Sequence, residues 1–144
     1  MTTATKRATA AWGIDPMRSH STGGNVVVVD LNALILGCEV APHTARLIES
    51  MRECGHKIVI VSSLDETCRA WILETLANNN VLADDLFLRG TSTPLDLASE
   101  FRQVKQRMGD GWFKRVAFFV AGDFEIARHF AAVCVPCFVM IYEG

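Results

Sequence analysis

The sequence predicts an α/β fold, a three-layer, doubly wound (Rossmann-like) arrangement around a parallel sheet of five strands. The first observation is a β-branched run, Val26–Val29, which is typical of a strand buried on both faces, as in parallel sheets. The second is that helix-like segments separate five short apolar runs, at residues 25–30, 57–62, 86–88, 116–121 and 137–142. Because crossovers between parallel strands are right-handed, we expect the intervening helices on both faces of the sheet.

The composition indicates one compact domain preceded by a segment of different character. The 144 residues are 50% hydrophobic and 21% charged, and the net charge of -2 gives no electrostatic signature for binding a long duplex. Residues 1–24 are rich in Thr, Ala and Ser and have no apolar periodicity. We therefore expect a flexible N-terminal tail over residues 1–24 and the α/β domain over residues 25–144.

The cysteines and the apolar runs bear on the cellular compartment. Five cysteines, an odd number, lie scattered in apolar segments, which favours buried reduced thiols over a disulfide framework. Asp30 interrupts the longest apolar run, so no stretch reaches the roughly 18 residues that a membrane span needs. A cytoplasmic protein without membrane contact is expected.

The first two helices have recognisable boundaries. The first follows the first strand and ends at Gly55, a residue suited to the position after a helix. Its apolar face is formed by Leu47, Ile48, Met51 and Cys54. The second is predicted to begin at the capping-box match Ser63–Glu66 and to end within Asn78–Asn80.

The last two helices are marked by their first residues. The third is predicted to begin at Thr93 and Pro94, an N-cap followed by proline at the first helical position. Its apolar stripe is Leu97, Phe101, Val104 and Met108. The fourth is predicted to follow Asp123 and to bury Ile126, Ala127 and Phe130.

Polar residues follow three of the strands, and these strand ends are where open α/β sheets bind ligands. The first strand ends in Asp30, the second in Ser62 and Ser63, and the fourth is followed by Gly122 and Asp123. Two carboxylates meeting there would repel each other unless a cation lay between them, and their oxygens suit Mg²⁺. The serine hydroxyls and nearby helix N–H groups could hold an anion. The alternative that Asp30 only caps the following turn stays open.

This constellation resembles the haloacid dehalogenase (HAD)-like superfamily over residues 25–144, in a form without a cap domain. The resemblance implies that Asp30 is a nucleophile and that Ser62 binds phosphate. It also implies a magnesium site formed by Asp30, the main-chain carbonyl of Asn32, and Asp123 after Gly122.

Within that superfamily, the chain is similar to the phosphatase domain of bacteriophage polynucleotide kinases, which removes 3′-phosphates. The similarity rests on Arg69 and Trp71, which match an Arg-x-Trp element, and on the run from Val135 to Phe138. It implies that Arg69 contacts the phosphate. The alternative is that Arg69 is a solvated helix residue and Trp71 belongs to the core.

Two departures from the superfamily pattern bear on catalysis. The usual second Asp, which protonates the leaving group, is Asn32 here, and losing general acid–base catalysis costs roughly 10²–10⁴-fold in rate. The usual lysine before the third helix is absent, and Thr93 stands at that place. Lys105 or Lys114 could replace it if the fold brings either one close to Asp30.

Three functions are compatible with these residues. The first is a Mg²⁺-dependent phosphohydrolase that acts through an aspartyl-phosphate on a nucleic-acid 3′-phosphate or another large phosphomonoester. The second is a catalytically degenerate protein that binds phosphate, nucleic acid or a protein partner. The third is a dehalogenase-like hydrolase, whose halide leaving group needs no proton. Without a cap, a large substrate is expected, whereas a small one would need a second subunit, as in a homo-oligomer, to exclude water.

Overall fold

The computed structural model describes residues 24–96 and 98–142, so the predicted tail at residues 1–24 lies outside the described residues apart from Gly24. In chain order, the strands are β1 (Val26–Asp30), β2 (Ile35–Leu36), β3 (Glu39–Val40), β4 (Lys57–Asp65), β5 (Asp85–Arg89), β6 (Val116–Ala121) and β7 (Cys137–Val139). The helices are α1 (Leu31–Leu34), α2 (Pro42–Glu53), α3 (Arg69–Asn78), α4 (Ser99–Met108), α5 (Trp112–Arg115) and α6 (Phe124–Ala131), with a 3₁₀ turn at Glu66–Cys68.

Five strands form one parallel sheet in the order β5-β4-β1-β6-β7, which confirms the predicted fold class. The chain first builds the sheet outward from β1 through β4 to β5 and then returns to add β6 on the other side of β1. In the register of the sheet, Asp30 lies beside Val61 of β4, and Val29 lies beside Val120 of β6. The reversal of strand order next to β1 creates a crevice at its carboxyl end, where Asp30 lies.

Hydrophobic clusters cover both faces of the sheet, as expected for three layers. Val27 and Val29 of β1 point into the cluster that holds Ile48 and Ile72, the buried residues of α2 and α3. Val28 points to the opposite face, where Val104, Trp112 and Phe130 pack. The alternation follows from the two-residue period of a strand and explains why β1 is apolar at every position before Asp30.

The short helix α1, a hairpin and the longer helix α2 fill the connection from β1 to β4. The hairpin strands β2 and β3 are antiparallel, and Gly37 adopts φ +67° in their turn. The connection from β4 to β5 contains the 3₁₀ turn and α3. No further domain is inserted at either place within residues 24–96, so the crevice above Asp30 is not covered by a cap.

Buried hydroxyl groups fix the end of the described chain to α2. Thr44 is fully buried, and its Oγ1 donates a hydrogen bond to the Ala33 carbonyl at 2.6 Å. Tyr142 Oη lies 2.6 Å from the same Oγ1. Because the single hydroxyl proton of Thr44 is already used, the Tyr142 hydroxyl is the donor in this second bond.

The predicted beginnings of the second and third helices were wrong. Strand β4 continues to Asp65, whose side chain accepts a hydrogen bond from the Thr67 N–H, so Asp65 and not Ser63 caps the next turn. Thr93 is not an N-cap either: its N–H donates to the Gly90 carbonyl in a turn, and α4 begins only at Ser99. The fourth helix begins as predicted, with Asp123 as its N-cap.

The cysteines are less buried than predicted. Cys38, Cys54 and Cys134 are exposed, whereas Cys68 and Cys137 are partly buried. Burial raises the pKa of the Cys137 thiol, so this residue is kept protonated within its apolar surroundings. None of the helices within the described residues has both the length and the apolar character that a membrane span requires.

Candidate active site

Asp30 is fully buried at the carboxyl end of β1, and two main-chain N–H groups hold its carboxylate. Oδ1 accepts a hydrogen bond from the Asn32 N–H at 3.0 Å, which makes Asp30 the N-cap of α1. Oδ2 accepts a second bond, at 2.9 Å, from the N–H of Gly122 in the loop after β6. The capping interpretation is therefore confirmed, but a cap alone does not need the second bond. Both carboxylate oxygens are therefore oriented by main-chain donors.

Gly122 is required by the close approach of its loop to β1. A Cβ atom at this position would lie 3.0 Å from Asp30 Oδ2 and 2.9 Å from Asn32 Cβ, and the second distance is one that real Cβ atoms essentially never show. The pair Gly122–Asp123 quoted from the sequence thus has a steric basis. A side chain at position 122 would push the two loops apart and remove a donor from Asp30.

Asp123 and Asn32 lie at the rim of the crevice, and both are exposed. Asp123 Oδ1 accepts a hydrogen bond from the Ile126 N–H at 2.9 Å, so this carboxylate caps α6 and keeps its second oxygen free. The structure therefore brings Asp30, Asn32 and Asp123 to one place through the contact of Gly122 with Asp30.

The serines lie at the end of the neighbouring strand. Ser62 is 3% exposed and comes one residue after Val61, the register partner of Asp30. Its Oγ accepts a hydrogen bond from the Leu64 N–H at 3.0 Å, which leaves the hydroxyl proton free to be donated to an anion. The Ser63 carbonyl accepts a hydrogen bond from Arg89 Nε at 2.9 Å. The helix N–H groups expected beside these serines are displaced along the chain, because α3 begins only at Arg69.

Arg69 lies at the free edge of the sheet, two strands away from β1. Its guanidinium forms two hydrogen bonds with Glu66, at 2.7 and 2.9 Å, and a third with the Leu86 carbonyl of β5 at 3.2 Å. Arg107 reaches the Leu88 carbonyl of the same strand at 3.3 Å. These arginines occupy main-chain acceptors that an unpaired edge strand exposes.

The charge on Glu66 holds the pKa of Arg69 above its usual value, and the pairing with Arg69 lowers the pKa of Glu66. Trp71 is 45% exposed and does not belong to the core. The phosphate role predicted for Arg69 therefore has a competing structural explanation.

Glu100 is the residue near Asp30 that the sequence analysis missed. It lies in the first turn of α4 and is 4% exposed. Burial, a hydrogen-bonding contact with Asp30, and the negative charges of Asp30 and Asp123 raise the pKa of Glu100 to about 11. Its Oε2 atom is buried without a hydrogen-bond partner.

Gln103 lies one turn further along the same face of α4 and is 8% exposed. Its Nε2 donates a hydrogen bond to the Ser62 carbonyl at 2.8 Å, while its Oε1 is buried without a partner. Positions 100 and 103 lie beside the apolar stripe of the third helix and not within it, so the spacing of the apolar residues gave no signal that either side chain is buried.

The lysine that the resemblance calls for has no replacement at Asp30. Lys105 is exposed, more than a turn beyond Glu100 along α4. Lys114 belongs to α5, which precedes β6 and so lies at the opposite end of the sheet from Asp30. Within the part of the chain that the structure describes, no lysine or arginine forms an ion pair or hydrogen bond with Asp30.

The donor atoms around Asp30 fit a hard cation. They are carboxylate and carbonyl oxygens, which Mg²⁺ prefers, and sulfur or imidazole ligands are not involved. In residues 24–96 and 98–142, no group of three His, Cys, Asp or Glu side chains is placed to hold a metal ion. A cation at Asp30 would thus rely on fewer side chains together with main-chain or amide oxygens and water, a coordination that Mg²⁺ tolerates.

Comparisons with known proteins support the fold. No family model and no curated protein matches the chain. A chain in a structure of the Pnkp1/Rnl/Hen1 RNA repair complex is 15% identical, with a TM-score of 0.69 over 81% of this chain and 42% of that one. A chain in a second structure of the Pnkp1/Rnl/Hen1 complex is 16% identical, with a TM-score of 0.71 over 85% and 48%. The chain thus spans less than half of these proteins, and at this identity the likeness establishes a shared fold.

Proposed function

We propose that this chain is a Mg²⁺-dependent phosphohydrolase domain of the HAD-like type that acts on phosphorylated nucleic-acid ends. The observation that carries the proposal is the state of Asp30: a fully buried carboxylate at the switch point, oriented by the N–H groups of Asn32 and Gly122. A carboxylate held in this way is pre-organised to act as a nucleophile.

The reaction proceeds in two displacements at phosphorus. A carboxylate oxygen of Asp30 attacks the phosphorus atom, forms an aspartyl-phosphate, and releases the nucleic-acid 3′-oxygen, which takes a proton from water. A second water then attacks the phosphorus, releases inorganic phosphate and regenerates the Asp30 carboxylate. The free hydroxyl proton of Ser62 is available to bind a phosphoryl oxygen at the neighbouring strand end. Mg²⁺, held by Asp30, the Asn32 carbonyl and Asp123, supplies charge neutralisation when bound.

Support for a large substrate comes from the uncovered crevice and from the rim of the site. Phe124 follows Asp123 at the start of α6, and its ring side chain is 63% exposed. An exposed aromatic ring beside a phosphate site can stack on a nucleic-acid base, which is worth about 1–3 kcal/mol per base. The likeness to a chain of an RNA repair complex is consistent with such a substrate.

The decisive experiment restores the missing acid. We expect Asn32→Asp to raise phosphate release from a 3′-phosphorylated oligonucleotide by roughly 10²–10⁴-fold, because Asn32 has no proton to give the leaving oxygen. Release from 4-nitrophenyl phosphate, whose leaving group needs no proton, should change far less. Adding Asp30→Asn to Asn32→Asp should abolish both activities. If neither the wild type nor Asn32→Asp releases phosphate above this double variant, the phosphohydrolase proposal is wrong.

The substrate class has a separate test. Phe124→Ala should weaken binding of a 3′-phosphorylated oligonucleotide by about five- to a hundred-fold while leaving the KM for 4-nitrophenyl phosphate unchanged. Equal effects on both substrates would indicate a structural role for the ring and count against nucleic acid as the substrate.

A binding protein on the same fold is the second candidate, and one specific observation favours it. The group that contacts Asp30 from α4 is the acid Glu100, where a phosphatase of this type would be expected to have a cation. Such a protein would bind a 3′-phosphorylated oligonucleotide more tightly than the 3′-hydroxyl form, and Asn32→Asp would not produce turnover. Fluorescence anisotropy of the two oligonucleotides measures the first property.

A further inference from the structure

Two unpartnered oxygens on α4 flank the Asp30 side of the crevice. Glu100 Oε2 and Gln103 Oε1 are both buried and have no hydrogen-bond partner. The residues are three apart on one helix, a spacing that places their Cβ atoms about 5–6 Å from each other. A buried polar atom without a partner costs about 1–3 kcal/mol, so two such oxygens about one helical turn apart indicate a bound species that supplies the missing contacts.

The charges indicate that this species is positive. Glu100 contacts Asp30, and Asp123 adds a third negative charge nearby. Two unit charges of like sign about 4 Å apart repel by roughly 4 kcal/mol at an effective dielectric constant near 20. Among the described residues, no basic side chain forms an ion pair or hydrogen bond with Asp30 or Glu100. Water could satisfy the hydrogen bonds, whereas relief of the repulsion needs either a proton shared by the two acids or a cation between them.

The donor set restricts the kind of cation. Asp30 and Glu100 provide carboxylate oxygens, and Gln103 provides a neutral amide oxygen that its bond to the Ser62 carbonyl holds in place. Oxygen ligands with two negative charges suit a hard divalent ion. We propose that Glu100 and Asp30 jointly ligate a divalent cation, Mg²⁺ or Mn²⁺, with the Gln103 amide oxygen as a neutral ligand.

This site extends the cation site of the proposed function to α4, because it shares Asp30 with it. It also explains the acid at position 100. A cation between Asp30 and Glu100 would supply the positive charge that no lysine of the described residues provides beside Asp30. Cation binding can be measured without any substrate, so its outcome is independent of phosphate release.

The test compares Mn²⁺ binding by the full chain and four variants of α4. Free Mn²⁺ is followed by electron paramagnetic resonance during titration, and the unfolding midpoint is measured in EDTA and in MgCl₂. Glu100→Gln keeps the shape of the side chain but removes the charge, and we expect it to weaken Mn²⁺ binding at least tenfold. Glu100→Asp, which keeps the charge, should recover part of the loss.

Gln103→Met removes the amide oxygen and is expected to weaken binding about two- to fivefold. Gln106→Met makes the same change at an exposed position of α4 and should bind Mn²⁺ like the wild type.

Three results would overturn the proposal. Unchanged Mn²⁺ affinity in Glu100→Gln would mean that Asp30, Asn32 and Asp123 hold the ion without α4. Absence of Mn²⁺ binding by the wild type, and of any midpoint shift in MgCl₂, would mean that water or a shared proton occupies the space. Equal losses in Gln103→Met and Gln106→Met would show a general effect of altering the helix. If Glu100→Gln does not fold, Mn²⁺ binding by Glu100→Asp and Gln103→Met is compared with the wild type instead. Weaker binding in both variants supports the proposal, and unchanged binding in both overturns it.

Discussion

Replacing Glu100 with Gln should stabilise the cation-free protein, and the gain should grow with pH. Burial and the contact with Asp30 raise the pKa of Glu100 from its ordinary 4.5 to about 11. Between these values the folded protein keeps a proton that the unfolded chain has released. The free energy of unfolding of the wild type therefore falls by about 1.4 kcal/mol for each pH unit on account of this residue. Gln has no proton to exchange, so its variant lacks this dependence.

The measurement is urea unfolding in EDTA at about pH 6, pH 7 and pH 8 for both proteins. The difference in the free energy of unfolding, variant minus wild type, should increase by about 2.7 kcal/mol over this range, because all other titrating groups cancel. Glu74→Gln, a change at an exposed acid of α3, should give a nearly constant difference. A constant difference for Glu100→Gln would refute the reasoning, since Glu100 would then carry no extra proton in the folded state.

Three further sets of substitutions test the packing around the site and the edge of the sheet. Gly122→Ala forces a methyl group into atoms 2.9–3.0 Å away and should lower the free energy of unfolding in urea by about 1–3 kcal/mol. Thr44→Val removes a buried hydroxyl and should lower the free energy of unfolding by about 1–3 kcal/mol in the same assay. When it is combined with Tyr142→Phe, the two losses of stability should be less than additive, because the two hydroxyls form a hydrogen bond with each other. The double variant Arg69→Gln, Arg107→Gln exposes two main-chain carbonyls of β5. It should associate in a concentration-dependent way in sedimentation velocity, and a strictly monomeric double variant would contradict this prediction.

The fold could be predicted because each strand has a local signal. The run Val26–Val29 has no polar position, and only a strand covered on both faces tolerates that pattern. Alternation of strands with helices then restricts the connections to right-handed crossovers, and the position of β6 beside β1 follows the common order for such sheets.

Helix beginnings were harder to predict because tertiary contacts decide them. Ser63 matches a capping box, but its carbonyl accepts a hydrogen bond from Arg89, which keeps β4 extended as far as Asp65. Thr93 precedes a proline, yet its carbonyl also accepts a bond from Arg89 and its N–H closes a turn with Gly90. Both errors trace to one arginine on a neighbouring strand, which no local pattern reveals.

The candidate site was predictable only in the part that follows strand ends. Asp30, Ser62 and Asp123 are found by locating the carboxyl ends of strands, which are visible in the sequence. Glu100 lies in the first turn of α4, so its contact with Asp30 depends on the packing of that helix and not on a strand end. The roles predicted for Ser62, Ser63, Asn32 and Asp123, and for Mg²⁺, remain predictions; Asn32→Asp and the cation titrations test those of Asn32 and of the metal.

The two departures from the superfamily pattern, Asn32 in place of an acid and the absence of the lysine before the third helix, affect different parts of the reaction. The proposed cation site bears on both. If a divalent ion lies between Asp30 and Glu100, it supplies the positive charge next to the nucleophile, and only the missing proton donor at Asn32 still slows the reaction. The gain expected for Asn32→Asp should then require cation concentrations that saturate the wild-type Mn²⁺ titration. It should shrink in the Glu100→Gln background, because this variant loses the ion. A full gain in that background would mean that Glu100 acts apart from the chemistry.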